Sequence, residues 1–176
     1  MTRRAYLLRA VNVGGTAKLP MAELRALAEE LGATNVATYI ASGNLLATAP
    51  AGFEATLETA IEKRFGFFRD ITSRTKAELE QALTAHPFTV DNPKYSYVTF
   101  LKDTPSSAAI EKARTFETGE DEWAVIGDDM HIRYANGAGT PQMKIDSIMR
   151  AIATPGTGRN LSTVQKLIDL LAAVGE

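Results

Sequence analysis

In the first half of the chain, short apolar runs bounded by glycine, proline and asparagine alternate with stretches whose apolar residues recur every three or four positions. The run at 5–13 is β-compatible and stops in Asn12-Val13-Gly14-Gly15, which punctuate a strand rather than extend it. Pro20 suits the first turn of a helix on which Leu24, Leu27, Ala28 and Leu31 share one face, until Gly32 offers a stop. Runs at 35–41 and 45–48 flank Ser42-Gly43-Asn44, small polar residues that favour a tight reversal, and so predict a hairpin. Phe53, Leu57, Ala60, Ile61 and Phe65 predict a second helix ending before Gly66, and 67–73 a fourth strand around Ile71. The order is βαββαβ.

Thr75 and Glu78 stand at capping-box spacing, so a further helix is predicted over 76–85, ending before His86-Pro87. After a linker punctuated by Pro87 and Pro93 the order restarts. A strand is predicted at 95–101, a helix opening at Thr104-Pro105 and running to about Phe116, and a hairpin of 123–126 with 131–134 around Gly127-Asp128-Asp129. A helix over 142–152 follows, then a last strand at 154–160 that Pro155 and Gly156 confine to a sheet edge. Leu161, Val164, Leu167, Ile168 and Leu171 form a closing helical stripe, with Ser162 and Gln165 at capping-box spacing. The expectation is an α+β fold of two ferredoxin-like (α/β-plait, βαββαβ) lobes, each followed by an extra helix, with the first lobe at 1–86 and the second at 87–176. The alternative is one continuous sheet spanning both halves.

Composition narrows the function classes. The 176 residues are 45% hydrophobic and 23% charged, enough to bury a core. There is no cysteine, which removes disulfides, thiolate zinc sites and a cysteine nucleophile, and a cytoplasmic setting is expected. The N-terminus is basic, but its apolar run is broken by Arg9 and Asn12, too short for a signal peptide, and no stretch is long enough to cross a membrane. A net charge of −2 gives no overall field for nucleic acid or anionic lipid.

Three blocks carry a resemblance: Leu8-Arg9-Ala10-Val11-Asn12-Val13-Gly14-Gly15, Pro20-Met21-Ala22-Glu23-Leu24-Arg25, and Thr38-Tyr39-Ile40-Ala41-Ser42-Gly43-Asn44. With Arg159-Asn160-Leu161-Ser162-Thr163-Val164-Gln165-Lys166-Leu167, the chain resembles the bacterial family called domain of unknown function 1697 over nearly its whole length. It departs from the family pattern at Leu161-Ser162, where Trp-Asn is usual, and at Ala47, where Phe is frequent. The resemblance implies a pair of α/β plaits and no settled activity.

In a βαββαβ plait the loop after the first strand and the hairpin after the second emerge at the same end of the sheet. Arg9, Asn12, Gly14, Gly15 and Lys18 are therefore expected beside Ser42, Gly43 and Asn44, with Tyr39 adjacent, giving amides, cations and backbone N–H groups suited to phosphate or carboxylate. The competing explanation is turn chemistry: glycines supply positive φ, and Asn12 and Asn44 tie loop backbone together. Gly14-Gly15 is no P-loop, since Lys18 lacks a following Ser or Thr. In the second half Arg159 and Asn160 are expected beside Asn136-Gly137-Ala138-Gly139-Thr140, although Ser162 as an N-cap accounts for part of that cluster structurally. His86 and His131 lack metal-ligand spacing, so no metal site is expected, and no acid/base pair or cofactor motif stands out. The leading expectation is binding of, or catalysis on, a small anionic ligand. The alternatives are a protein-interaction or regulatory module and, with least support, an RNA-binding plait, which lacks stacking rings on Leu45-Leu46-Ala47-Thr48.

Overall fold

A computed structural model describes residues 1–173. The elements run β1 (Arg3–Leu8), α1 (Met21–Glu30), β2 (Thr34–Tyr39), β3 (Asn44–Thr48), α2 (Phe53–Phe65), β4 (Ile71–Thr75) and α3 (Lys76–Ala85). They continue as β5 (Ser96–Leu101), α4 (Ser107–Ala113), β6 (Glu122–Ile126), β7 (Asp129–Arg133), α5 (Ile145–Ile152), β8 (Gly156–Asn160) and α6 (Leu161–Ala173). The fold is mixed α+β with two four-stranded antiparallel sheets, ordered β2-β3-β1-β4 and β6-β7-β5-β8, which excludes a single continuous sheet. By internal contact the chain divides into Met1–Glu80 with the C-terminal stretch from Gln165, and Gln81–Val164. The sequence expectation drew the boundary between 86 and 87 and kept the last helix with the second half. One bond that ties the C-terminal helix into the first unit runs from Arg3 Nη1 to Leu170 O, at 3.0 Å.

In the first unit, α1 buries Leu24, Leu27 and Ala28 and α2 buries Phe53, Leu57 and Ile61, all against Tyr6, Leu8, Leu45 and Ala47 of the sheet. Each large apolar side chain buried this way stabilises the fold by roughly 1.5–3 kcal/mol. Gly66 closes α2 in the left-handed region at φ 80, and its N–H returns to Glu62 O at 3.0 Å. Thr75 and Glu78 form the expected capping box: Thr75 N–H donates to Glu78 Oε2 (2.8 Å) and Glu78 N–H to Thr75 Oγ1 (3.2 Å).

Element ends differ from expectation where side chains capture backbone N–H groups or the backbone turns left-handed. Strand β1 stops at Leu8 because Ala10 and Asn12 adopt φ 51 and 55, which no strand accommodates. Helix α4 begins at Ser107, capped by Ser106, whose hydroxyl accepts Ala109 N–H at 3.1 Å, rather than at Thr104-Pro105. Helix α5 begins only at Ile145, because buried Asp121 takes the N–H groups of Gln142 (2.6 Å) and Met143 (2.9 Å) and, with its other oxygen, Ala135 (2.8 Å). The cap of α6 is Asn160, whose Oδ1 accepts Thr163 N–H at 2.8 Å, rather than Ser162.

The two sheets repeat one register. Leu8 lies opposite Ile71 as Leu101 lies opposite Gly156, and Tyr6 opposite Ser73 as Thr99 opposite Gly158. Leu8 N–H donates to Gly43 O as Leu101 N–H donates to Asp128 O, both at 2.9 Å. Arg9 N–H reaches Asp70 O as Lys102 N–H reaches Pro155 O, both at 3.0 Å. The paired strands of the two sheets repeat in register, whereas the segments that connect them differ in length.

Candidate functional site

Three loops converge at the end of the first sheet where β1 and β2 finish: residues 9–20, 40–43 and 66–70. The expected meeting of the first two is present, since Leu8 N–H binds Gly43 O and Asn12 bridges them. Asn12 Nδ2 donates to Ala41 O (2.7 Å) and Leu19 O (2.9 Å), while its Oδ1 accepts Leu19 N–H (2.7 Å). Its backbone N–H closes on Ala17 O at 3.0 Å. This side chain is the knot of the corner, and its amide is spent on backbone.

The corner concentrates left-handed backbone. Ala10, Asn12, Gly14, Gly15 and Ala17 have φ 51, 55, 60, 75 and 49, and Ile40 and Gly43 follow on the hairpin at 51 and 91. For residues with a Cβ this conformation costs about 1–2 kcal/mol each, and it persists only when surrounding bonds over-determine it. Gly43 is required sterically, because a Cβ there would stand 2.6 Å from Val11 Cγ2 and 2.9 Å from Leu8 Cβ. Gly14 and Gly15 are exposed with open space about them, so only their φ calls for glycine.

Asn44 is fully buried and donates to Tyr39 O (2.9 Å) and Ser42 Oγ (3.3 Å), fixing the hairpin from within. Tyr39 contributes this carbonyl, and its ring is half-buried. Arg9 and Lys18 are the exception among the candidates. Both side chains are exposed, and neither makes a hydrogen bond or ion pair with any described residue. The corner thus holds two unengaged cations on a backbone locked by Asn12, Asn44 and Gly43.

A third cation was missed from the sequence. Arg69 donates from Nε to Ala10 O (3.4 Å) and from Nη1 to Phe68 O (2.8 Å), with its guanidinium 5.5 Å from the Phe67 ring centre. The topological rule that joined the first two loops also applies to the start of β4, which lies beside the end of β1. The three loops further expose Val13, Ile40 and Phe68 at 57%, 49% and 47%.

In the second unit the expected cluster is used differently. Arg159 is buried, its Nη1 donates to Gly158 O at 2.8 Å, and burial lowers its pKa to about 10. Asn160 caps α6. The loop at 136–140 folds on itself, Thr140 bonding Asn136 O through Oγ1 (2.8 Å) and Gly137 O through its N–H (3.2 Å). The histidines, distant in sequence, meet: His86 Nδ1 and His131 Nδ1 are 2.9 Å apart, and the Nε2 of each is buried without a partner. Burial, followed by the neighbouring His86, lowers the His131 pKa to about 4, and burial lowers that of His86. Among the described residues no group of three or more His, Asp or Glu side chains is placed to hold a metal ion, and no helix is long and apolar enough to cross a membrane.

A family model described as "Protein of unknown function (DUF1697)" matches residues 1–131. No curated protein matches the chain. Among solved structures it is similar to a conserved bacterial protein from Streptococcus pneumoniae, at 23% identity and a TM-score of 0.75, with 97% of this chain and 98% of that one covered. That likeness shows the fold alone.

Proposed function

The chain belongs to the DUF1697 family of proteins of unknown function, and from the geometry of its first-sheet corner we propose that it binds a small ligand bearing a phosphate or carboxylate. One observation carries this reading: Arg9 and Lys18 are exposed and unengaged on loops whose strained backbone is held from beneath. A preorganised backbone limits the ordering cost of binding to that of the two side chains, and a guanidinium grips an anion through two parallel hydrogen bonds. Asn12, Asn44 and Gly43 build the scaffold, and Arg9 and Lys18 contact the ligand. We read each lobe as a ferredoxin-like plait, on the strength of the strand orders, and the protein as bacterial and cytoplasmic, on the origin of its structural relative and the absence of cysteine.

A second reading, a protein-docking corner, draws on the exposure of Val13, Ile40 and Phe68 on the same three loops. The RNA-binding reading has least support, given a net charge of −2 and the absence of a ring on β3.

A thermal-shift screen against nucleotides, sugar phosphates and dicarboxylates separates the two main readings. A ligand at 100 times its dissociation constant adds about 2.7 kcal/mol. The expected result is a shift that Arg9→Ala and Lys18→Ala abolish and that Arg9→Lys does not fully restore. If no anion shifts the melting temperature, the small-ligand reading fails and the docking reading stands.

A further inference from the structure

At the opposite end of the same sheet, where β1 begins and β3 ends, a cleft of about 420 Å³ is lined by Arg4, Tyr6, Glu54 and the turn Ala49-Pro50-Ala51-Gly52. Its chemistry differs from that of the corner. Tyr6 is 1% exposed, yet its hydroxyl has no hydrogen-bond partner among the described residues. Burial, followed by the Glu54 carboxylate, raises its pKa to about 12, so at neutral pH it is a protonated donor. Glu54 is held by the hydroxyl of Ser73, which lies opposite Tyr6 on β4, and Arg4 reaches Ser73 Oγ at 3.4 Å and Glu78 at 3.7 Å.

The fold does not demand these groups. At the equivalent register positions of the second sheet stand Tyr97 for Arg4, Thr99 for Tyr6 and Gly158 for Ser73. An unpartnered phenol between a guanidinium and a carboxylate is therefore a property of the first lobe, not of the duplicated backbone. The hydroxyl is not sealed from solvent as the unpartnered Thr72, His86 and His131 atoms are, so its hydrogen-bond partner comes from the cleft.

We propose that this cleft is a second binding site, independent of the corner, for a small zwitterion of the free amino acid class. Opposite charges, Arg4 and Glu54, face a single cleft. Arg4 and the Tyr6 hydroxyl take the carboxylate, Glu54 takes the ammonium, and Ala49, Pro50 and Ala51 flank the ligand side chain. No bond is made or broken. The site binds and does not react.

The test is a proton–nitrogen NMR titration of the full chain with the twenty L-amino acids in turn, with acetate, ethylamine and glucose as controls. The expected result is saturable movement of the Ala51, Gly52 and Phe53 amides with at least one amino acid and with none of the controls. Tyr6→Phe leaves the melting temperature unchanged, since the hydroxyl has no internal partner, and weakens binding about tenfold or more, as does Glu54→Gln. Saturable binding of glucose in place of amino acids, no saturable movement with any amino acid, or unchanged affinity in Tyr6→Phe and Glu54→Gln would overturn the proposal.

Discussion

The first and second sheets share a register and differ at their corners. After β5 the chain reaches α4 through residues 102–106, whereas after β1 it needs residues 9–20 to reach α1. The short connection contains no left-handed residue, and the long one contains five, counting Ala10, Asn12, Gly14, Gly15 and Ala17. The second unit closes its sheet with the short version, so the long, strained version is not required by the strand order. The contrast supports the anion site proposed at the first corner, because backbone strain persists only where surrounding bonds enforce it.

The comparison breaks most forcefully at the turn that each lobe places beside its first strand. Gly43→Ala drives a Cβ into Val11 and Leu8 at φ 91 and should destabilise by about 3 kcal/mol, whereas Gly127→Ala on the equivalent hairpin meets open space and should cost about 1 kcal/mol. Urea unfolding of both variants measures the difference. Equal losses would mean that the first corner is no more tightly built than the second.

Acid sharpens the comparison from the other side, since both histidines lie in the second unit. The folded pKa of His131 is lowered to about 4 from 6.5. Between those values the unfolded chain binds the extra proton, so this contribution to stability is complete above about pH 6.5 and is lost as pH falls towards about 4. The expected loss is of order 2 kcal/mol, read as a falling melting temperature, and His131→Leu should flatten the profile. An unchanged profile in that variant would place the acid sensitivity elsewhere.

Much of this architecture was legible in the sequence. The order βαββαβ followed from periodicity, and the meeting of residues 9–18 with 42–44 followed from topology. The misplaced ends have two causes: local structure that the pattern did not place, such as the Ser106 and Asn160 caps, and partners fixed by tertiary structure. Asp121 delays α5 by capturing Gln142 and Met143, and no local pattern announces a carboxylate that distant. The role of Asn12 was open for the same reason, because Leu19 and Ala41 become its partners only once the loops meet. Arg4 and Tyr6 did leave a trace, since they alternate with Leu8 on the core-facing side of β1. Ser73 and Glu54, which complete that cluster, come from a different strand and from a helix.

Smaller effects separate scaffold from ligand contacts. Asn12→Ala leaves one N–H and two carbonyls without their side-chain partner and should cost about 1–2 kcal/mol in chemical denaturation. Arg9→Ala and Lys18→Ala remove exposed side chains that make no hydrogen bond or ion pair with any described residue and should stay within about 0.5 kcal/mol of the parent. A loss above 1 kcal/mol on removing either cation would make it part of the scaffold.

The most direct test of the corner as an anion site is a proton–nitrogen NMR titration with inorganic phosphate, following both corners in one spectrum. The account predicts saturable movement of the Arg9, Gly14, Gly15 and Gly43 amides, none at Lys102 and Asp103, and loss of the response in an Arg9→Ala, Lys18→Ala double variant. Equal movement at both corners, no saturable movement at the first, or a response that survives removal of both cations would contradict it.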